Sequence, residues 1–269
     1  TGGDFTALDS PEKARCPGTP QRLIPAHGYF KTRVSYFKTR NSTILKPTIQ
    51  LFLKPTIQQG MAQLGLADRV EIDLVNSLLA YLDLLQRWNK VCNLTAVRDP
   101  EQMVYRHILD SLAIGPHLGS GVRCIDVGSG AGLPGVPLAI VYPEREFHLL
   151  DSNGKKTRFL FQVKTELGLD NITVHNSRAE TFVAVRPYDI VLSRAFASLI
   201  DMVESCMHLC AADGCFLAMK GLYPEQELVT LDGRCQLVAA HRIQVPGLPE
   251  QRHLIELRPV PGVNGEILG

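Results

Sequence analysis

The apolar positions of the chain follow a helical period from about residue 62 onward. A series of leucines recurs every three or four residues and therefore predicts an amphipathic helix. The series consists of Leu74, Leu78, Leu82 and Leu85, and it ends near Trp88.

A second helix is predicted after the pair Asp99-Pro100, because an N-capping residue followed by proline is a common helix start. Its apolar positions run through Ile108 to Leu112. We therefore expect a small helical segment over residues 61–118.

From residue 121 the pattern changes to short apolar strands that alternate with helices. Such alternation predicts a doubly wound α/β domain with a parallel sheet and right-handed crossovers. The predicted strands are 123–127, 147–151, 172–175, 190–193 and 216–219, and the predicted helices lie near 133–141, 154–168, 199–210 and 224–230.

The end of the chain breaks this alternation. Two apolar stretches, 236–244 and 253–258, are separated by Pro246-Gly247-Leu248-Pro249, which predicts a hairpin with one antiparallel strand. A mostly parallel sheet that ends in an antiparallel hairpin is typical of class I (Rossmann-like) methyltransferases more than of dinucleotide dehydrogenases. We therefore expect an S-adenosylmethionine-binding domain over residues 119–260.

Residues 1–60 lack such a pattern and contain two short perfect repeats. The segment 29–33 recurs at 36–40, and the segment 45–50 recurs at 53–58. Solenoid repeats are longer and degenerate, so we expect residues 1–60 to be a tail outside the fold. A basic RNA-binding arm or a targeting segment is the alternative for this stretch.

The net charge of +1 conceals an uneven distribution. Residues 1–60 hold 9 Lys and Arg against 3 Asp and Glu, whereas the remainder holds 19 against 24. A mildly acidic body predicts that any nucleic acid binds through a local basic patch.

The cellular setting is suggested by the seven cysteines, an odd number scattered through apparent core segments. They favour reduced thiols and a cytoplasmic protein. No apolar run approaches the roughly 18 residues of a membrane span, and we expect no membrane partner. The spacing Cys206-x-His208-x-Cys210 matches no zinc finger or ribbon pattern, so no metal is expected.

The strongest local signal is a glycine loop that leaves the strand 123–127. Gly128, Gly130 and Gly132 alternate before a helix start at Leu133-Pro134. Glycines let a backbone turn tightly and approach a ligand closely, which predicts a nucleotide-binding loop. The spacing of Gly130, Gly132 and Gly135 also satisfies the dinucleotide pattern, which alone is weak.

Two aspartates bear on the choice of cofactor. Asp126 lies two residues before the first glycine, where it can face the ammonium of a methionine moiety or cap backbone N–H groups of the loop. Asp151 closes the next strand, where a carboxylate can accept both ribose hydroxyls of an adenosine. Asp126 and the terminal hairpin disfavour a nicotinamide-dependent oxidoreductase. A non-catalytic RNA-binding module stays open as a third possibility.

Several further motifs surround this loop in order. They are Arg87-Trp88-Asn89-Lys90, Asn93-Leu94-Thr95, Arg106-His107-Ile108-Leu109-Asp110-Ser111, Ser193-Arg194-Ala195-Phe196-Ala197 and Met219-Lys220-Gly221. Together they closely resemble the bacterial glucose-inhibited division protein B family over about residues 62–258. Members of that family are small-subunit rRNA guanine-N7 methyltransferases.

The resemblance implies methyl transfer from S-adenosylmethionine to N7 of a guanine in the decoding-region loop of 16S ribosomal RNA. The partner would be this RNA or the small ribosomal subunit, with the enzyme a monomer. Carried over to this chain, the family's cofactor site includes Gly128, Leu133, Ala179, Glu180 and Arg194, which join Asp126, Gly130 and Asp151.

Residues of the substrate side are expected at the rim where the parallel strands end. Arg194 and Lys220 close neighbouring strands and are the candidate catalytic residues, because ligands bind at the carboxyl ends of such strands. Lys220 is also a candidate for RNA contact, together with Arg106, His107 and Arg252. For His107, a purely structural contact between helix and domain is the equal alternative.

Overall fold

The computed structural model describes residues 47–194, 196–231 and 233–260. Within them, a seven-stranded sheet has the order β3-β2-β1-β4-β5-β7-β6. The strands are β1 (Arg123–Val127), β2 (Glu146–Asp151), β3 (Ile172–Asn176), β4 (Tyr188–Ser193), β5 (Cys210–Lys220), β6 (Cys235–Ile243) and β7 (Arg252–Pro259).

The first five strands are parallel, and β7 lies antiparallel between β5 and β6. This arrangement confirms the doubly wound sheet with its antiparallel hairpin. The order reverses beside β1, because β2 and β4 flank it on opposite sides. Ligands of open α/β sheets bind at such a switch point, outside the carboxyl ends of the strands.

The helices cover both faces of the sheet. Their bounds are α1 (Pro47–Gln63), α2 (Ile72–Cys92), α3 (Pro100–Met103), α4 (Asp110–Leu112), α5 (Gly135–Val141), α6 (Gly154–Leu167), α7 (Leu199–Cys206) and α8 (Glu225–Val229). A π-helical turn, Val104–Leu109, joins α3 to α4. The start of α3 is as expected, since the side chain of Asp99 accepts a hydrogen bond from the Gln102 amide at 2.8 Å.

The expectation that residues 1–60 lie outside the fold is wrong for its last part. Helix α1 begins at Pro47, and it buries Leu53 and Ile57 in the same core as Met61. The repeat that contains Leu53 and Ile57 suggested a tail, but it also places these two residues one helical turn apart, on one face of α1. Residues 1–46 lie outside the described part of the chain.

Two hydrophobic clusters fill the two sides of the sheet. The larger one joins the N-terminal helices to α5, α6 and one face of the sheet, and the smaller one packs α7 against the other face. Helix α2 lies on α5 and α6, so the N-terminal segment sits beside the glycine loop. Among the described helices, none is long and apolar enough to span a membrane.

Candidate functional site

The glycine loop between β1 and α5 adopts a backbone that side chains disfavour. Gly128, Gly130 and Gly132 have φ values of 70°, 60° and 85°. A Cβ at Gly132 would collide with Val136 and would lie 2.8 Å from Leu160. Gly132 therefore allows close packing of loop on helix, while a Cβ at Gly130 would make only an ordinary contact, 3.8 Å from the Gly128 carbonyl oxygen. The helix begins two residues later than predicted, at Gly135, because Pro134 is its N-cap.

Asp151, at the end of β2, ties the loop to the neighbouring strand. Its Oδ2 accepts the Gly130 amide at 2.9 Å, and its Oδ1 accepts the Asn153 amide at 2.8 Å. The Nζ of Lys156 lies 3.6 Å from Oδ2. The carboxylate is thus fixed at the carboxyl edge of the sheet, where an adenosine ribose would meet it.

A groove of about 290 Å³ opens at this edge. Gly128, Asp151, Ala179 and Glu180 are among the residues that line it. Its remaining walls are Val127, Leu150, Ser152, Lys156, Ser177, Arg178 and Phe196. The structure therefore brings together, from β1, β2 and the turn after β3, four of the residues expected at the cofactor.

The other four expected cofactor residues do not line the groove: Gly130 donates its amide to Asp151, Arg194 pairs with Asp110, and Leu133 and Asp126 are buried. Leu133 is buried in the core of the N-terminal side and does not line the groove. Asp126 is fully buried, and its Oδ2 accepts the Gly135 amide at 2.8 Å. Asp126 therefore caps the start of α5, which was the alternative to contact with a methionine ammonium.

The environment of Asp126 is unusual for a carboxylate. Burial raises its pKa to about 7, although the Gly135 amide and the charge of Arg194 act in the opposite direction. Its Oδ1 is buried without a hydrogen-bond partner among the described residues. Asp126 is thus a buried acceptor beside the loop, with capacity for one more donor.

A cluster of arginines lies on the N-terminal side of the same edge. Asp110 is buried and accepts two guanidinium groups. Its Oδ2 is 3.3 Å from Nη1 of Arg194, which follows β4, and its Oδ1 is 2.9 Å from Nε of Arg252, which begins β7. Nη1 of Arg194 also donates to the carbonyl of Arg106 at 3.2 Å. We call Arg106, Asp110, Arg194 and Arg252 the arginine cluster.

The outer member of this cluster is Arg106. Its side chain donates to Glu250 and, at 3.2 Å, to Gln102. Three of the residues expected at the substrate side, Arg106, Arg194 and Arg252, are thus neighbours. The chain has a local group of cations on an otherwise mildly acidic body.

The fourth expected residue of this side, His107, does not belong to the surface. Its side chain is buried, and its Nε2 lies 2.9 Å from the hydroxyl of Thr95. Burial and the nearby Arg194 charge lower its pKa to about 4, so it is neutral at physiological pH. The expected RNA contact of His107 is corrected to a structural contact between the π-helical turn and the loop after α2.

Lys220 and Arg194 end neighbouring strands but lie on different faces of the sheet. Nζ of Lys220 is 2.8 Å from Oε2 of Glu227 on α8, and its side chain is 12% exposed. It also donates to the carbonyls of Phe196 and Ala197 at 3.5 and 3.4 Å. Lys220 therefore holds the loop after β4, whereas Arg194 points to the N-terminal helices.

Two polar residues outside the predicted set take part in the site. Asp110 organises the arginine cluster, and the buried hydroxyl of Tyr81 donates to the Ala131 carbonyl of the glycine loop at 2.7 Å. The sequence signal for Asp110 is that it lies in the same motif as His107. Tyr81 lies on an apolar helix face, and this pattern does not predict a contact with a residue 50 positions away.

Comparison with known proteins adds to this geometry. The family model GidB, described as rRNA small subunit methyltransferase G, matches residues 74–255. A protein of Cellvibrio japonicus named ribosomal RNA small subunit methyltransferase G is 52% identical over 211 residues, which are 77% of this chain and 95% of that protein. A protein of the same name from Ectopseudomonas mendocina is 54% identical over 203 residues, with 74% and 93% covered.

Solved structures agree on the fold. A glycopeptide N-methyltransferase, MtfA, solved with S-adenosylmethionine, superposes with a TM-score of 0.50 at 10% identity. The match covers 57% of this chain and 95% of that one. At this identity the likeness concerns the architecture, which is that of class I methyltransferases.

Proposed function

Because this chain belongs to the GidB family of ribosomal RNA small subunit methyltransferases, we propose that it methylates N7 of a guanine in 16S ribosomal RNA. The methyl donor is S-adenosylmethionine, and the target lies in the decoding-region loop. The observation that carries this proposal is the placement of the glycine-lined groove beside the arginine cluster, at one edge of the sheet.

The residues of the groove fit the donor. Gly128 offers backbone without a side chain, and Asp151 places a carboxylate in the groove wall for the ribose hydroxyls. Ala179 and Glu180 border the part of the groove where this fold accommodates adenine. When bound, the sulfonium supplies an electrophilic methyl group.

The chemistry of the acceptor atom determines which catalytic groups the protein needs. N7 of guanine has a free in-plane lone pair and no proton, so it can attack without a general base. His107 is buried and engaged with Thr95, which fits a reaction that needs no imidazole. The chain's task is to orient the base and to exclude water from the reacting atoms.

Recognition of the RNA is assigned to the cations of the edge. Arg194, Arg252 and Arg106 offer N–H donors to phosphates or to O6 of guanine, while N7 must stay free. A base in an unpaired loop can be splayed into such a site, which a base in a helix cannot. The proposed substrate is the RNA or the small subunit, acted on by a cytoplasmic monomer.

Two measurements test the proposal against its rivals. Isothermal titration should show binding of S-adenosylmethionine and none of NAD, which would exclude the oxidoreductase. Incubation with methyl-labelled donor and protein-free 16S ribosomal RNA should then give labelled RNA. Donor binding without transfer to any form of the RNA or subunit would favour the non-catalytic RNA-binding module instead.

A further inference from the structure

The arginine cluster has a feature that RNA binding alone does not require, namely a buried carboxylate at its centre. Asp110 is 6% exposed, whereas the side chains of Arg194 and Arg252 are 28% and 21% exposed. An acidic group next to an RNA site repels the phosphates, and burial of a charge is unfavourable unless it is well paired. The presence of the Asp110 carboxylate at this position therefore requires an explanation.

The hydrogen bonds of Asp110 provide one. Each carboxylate oxygen takes one guanidinium, Oδ1 that of Arg252 and Oδ2 that of Arg194. The two arginines come from the end of β4 and the start of β7, and Asp110 comes from the N-terminal helices. One carboxylate thus holds two cations from separate parts of the fold side by side, with a net charge of +1.

The guanidinium groups keep donors for a ligand. A guanidinium carries five N–H bonds. Arg194 uses those of Nη1 for Asp110 and the Arg106 carbonyl, and Arg252 uses Nε and Nη1 for Asp110 and the Gln251 carbonyl. Within the described residues, Nη2 of both arginines has no hydrogen-bond partner. Both side chains are partly exposed, so these donors are accessible.

The backbone segment directly before Asp110 also helps to position Arg194. The π-helical turn Val104–Leu109 ends directly before Asp110, and the Arg106 carbonyl within that turn accepts Arg194. Such turns are rare and occur often at functional sites. The buried His107 anchors the same turn through Thr95.

We propose that Asp110 is a positioning residue that holds Arg194 and Arg252 as a preformed pair for a backbone phosphate of the substrate RNA. This inference rests on the proposed function and deepens it. Paired guanidinium groups match a phosphate through parallel N–H donors, and a preformed pair loses less conformational freedom on binding. Without the carboxylate the two cations repel each other and separate.

The substitution Asp110→Asn separates this role from simple charge. Removing a negative charge next to a polyanion site should tighten RNA binding if only net charge matters. If Asp110 positions the arginines, the full-length variant binds protein-free 16S ribosomal RNA about tenfold more weakly, despite its more positive cluster. Its affinity for S-adenosylmethionine should fall by a smaller factor than its affinity for the RNA, because Arg194 is also an expected cofactor residue. Equal or tighter RNA binding by this variant would overturn the proposal.

A matched control is available at the rim of the same cluster. Glu250 pairs with Arg106 but is exposed, so Glu250→Gln removes a carboxylate without touching the central pair. We expect Glu250→Gln to bind the RNA at least as tightly as wild type. A tenfold loss in Glu250→Gln as well would attribute both effects to charge pairing in general and overturn the specific role of Asp110.

The salt dependence adds a readout that a purely structural defect would not move. Each phosphate contact on single-stranded RNA contributes about 0.7 to the slope of log affinity against log salt. Asp110→Asn should flatten the slope by about that amount, in line with one lost phosphate. An unchanged slope would contradict the proposal.

A second variant covers the case in which Asp110→Asn does not fold. Arg252→Ala leaves Asp110 paired with Arg194, and it should weaken RNA binding by a similar factor with donor affinity unchanged. Arg252→Ala that binds RNA like wild type overturns the inference. If the wild-type protein itself does not bind or methylate the RNA, the proposed function fails and takes the inference with it, whereas wild-type activity with unaffected variants removes the inference alone.

Discussion

The cofactor groove and the arginine cluster share one edge of the sheet, but they are built in different ways. The groove is lined by three short segments that follow successive strands, residues 127–128, 150–156 and 177–180, with Phe196 as its one later member. The arginine cluster joins residues that are 84 and 142 positions apart in the chain. A site of the first kind depends on local backbone conformation, and a site of the second kind depends on how distant elements pack.

The largest effect is expected from a truncation that disturbs the arginine cluster and leaves the cofactor groove intact. A chain that begins at Met61 loses most of α1, including the buried Leu53 and Ile57. Burial of two such side chains contributes about 3–6 kcal/mol to the free energy of unfolding. Because α1 packs on the π-helical turn before Asp110, RNA binding should fall more than donor binding.

The comparison for this truncation is a chain that begins at Pro47. It retains α1 and should unfold at the denaturant midpoint of the full chain and methylate at the same rate. Chemical denaturation and single-turnover methylation measure the two quantities. If the chain beginning at Met61 is as stable as the one beginning at Pro47, the packing of α1 is not part of the fold's stability.

Prediction from the sequence succeeded for the strands of the sheet and failed for helix α1. Strand β1 was predicted with its observed bounds, and the other strands differ at their ends, because alternating apolar runs and the glycine loop are local signals. Helix α1 was missed because the perfect repeat of 45–50 at 53–58 suggested a tail outside the fold. The repeat spacing of eight residues nevertheless fits two helical turns, which only the packed structure reveals.

The candidate site divides in the same way. Gly128 and Asp151, which were predicted to contact the cofactor, both line the groove, because their positions at strand ends place them at the same edge of the sheet. The neighbours of Lys220 could not be predicted, since Glu227 pairs with it only after α8 folds back on the strand. The burial of His107 likewise depends on the loop after α2, which the helical pattern does not place.

The next largest effect is expected from substitutions in the glycine loop, which leave the arginine cluster unchanged. Gly132→Ala adds a Cβ against Val136 and Leu160 at a φ of 85°, which should lower the free energy of unfolding by about 2–4 kcal/mol. Gly130→Ala also places a side chain at a positive φ, 60°, but meets only the Gly128 carbonyl oxygen at 3.8 Å, and should lose only about 1–2 kcal/mol. Equal losses in thermal unfolding would show that packing on the loop does not matter.

Asp151 tests the groove through a carboxylate that also accepts the Gly130 amide of the glycine loop. Asp151→Ala should weaken binding of S-adenosylmethionine by about 1–3 kcal/mol, the range for loss of charge-assisted hydrogen bonds. RNA affinity should be unchanged, since the arginine cluster does not contact this residue. Calorimetry with the donor measures the first quantity. An unchanged donor affinity would mean that the ribose is held elsewhere.

Lys220 and Arg194 sharpen the comparison, because they end neighbouring strands on opposite faces. Lys220→Ala should lower methyl transfer about tenfold, or about 1.4 kcal/mol in the barrier, with a smaller effect on donor affinity. Arg194→Ala should lower both, since its charge also acts on Asp126. Calorimetry and single-turnover methylation separate the two quantities.

Glu227→Gln distinguishes two roles for Lys220. If Lys220 acts by holding the loop of Phe196 and Ala197, the loss of its partner should slow methylation part of the way toward Lys220→Ala. If Lys220 contacts the RNA directly, the released ammonium should leave the rate unchanged or raise it. Lys220→Ala that methylates at the wild-type rate would remove Lys220 from the substrate side altogether.

The most direct test of the proposed function is the position of the transferred methyl group. The full-length protein is incubated with methyl-labelled S-adenosylmethionine and 16S ribosomal RNA from cells that lack this protein, and the modified nucleotide is mapped by mass spectrometry. The predicted result is one methyl group on N7 of one guanine in the decoding-region loop, and none on RNA from cells that contain the protein. A methyl group on another atom or another loop, or donor binding with no transfer to RNA or subunit, would contradict it.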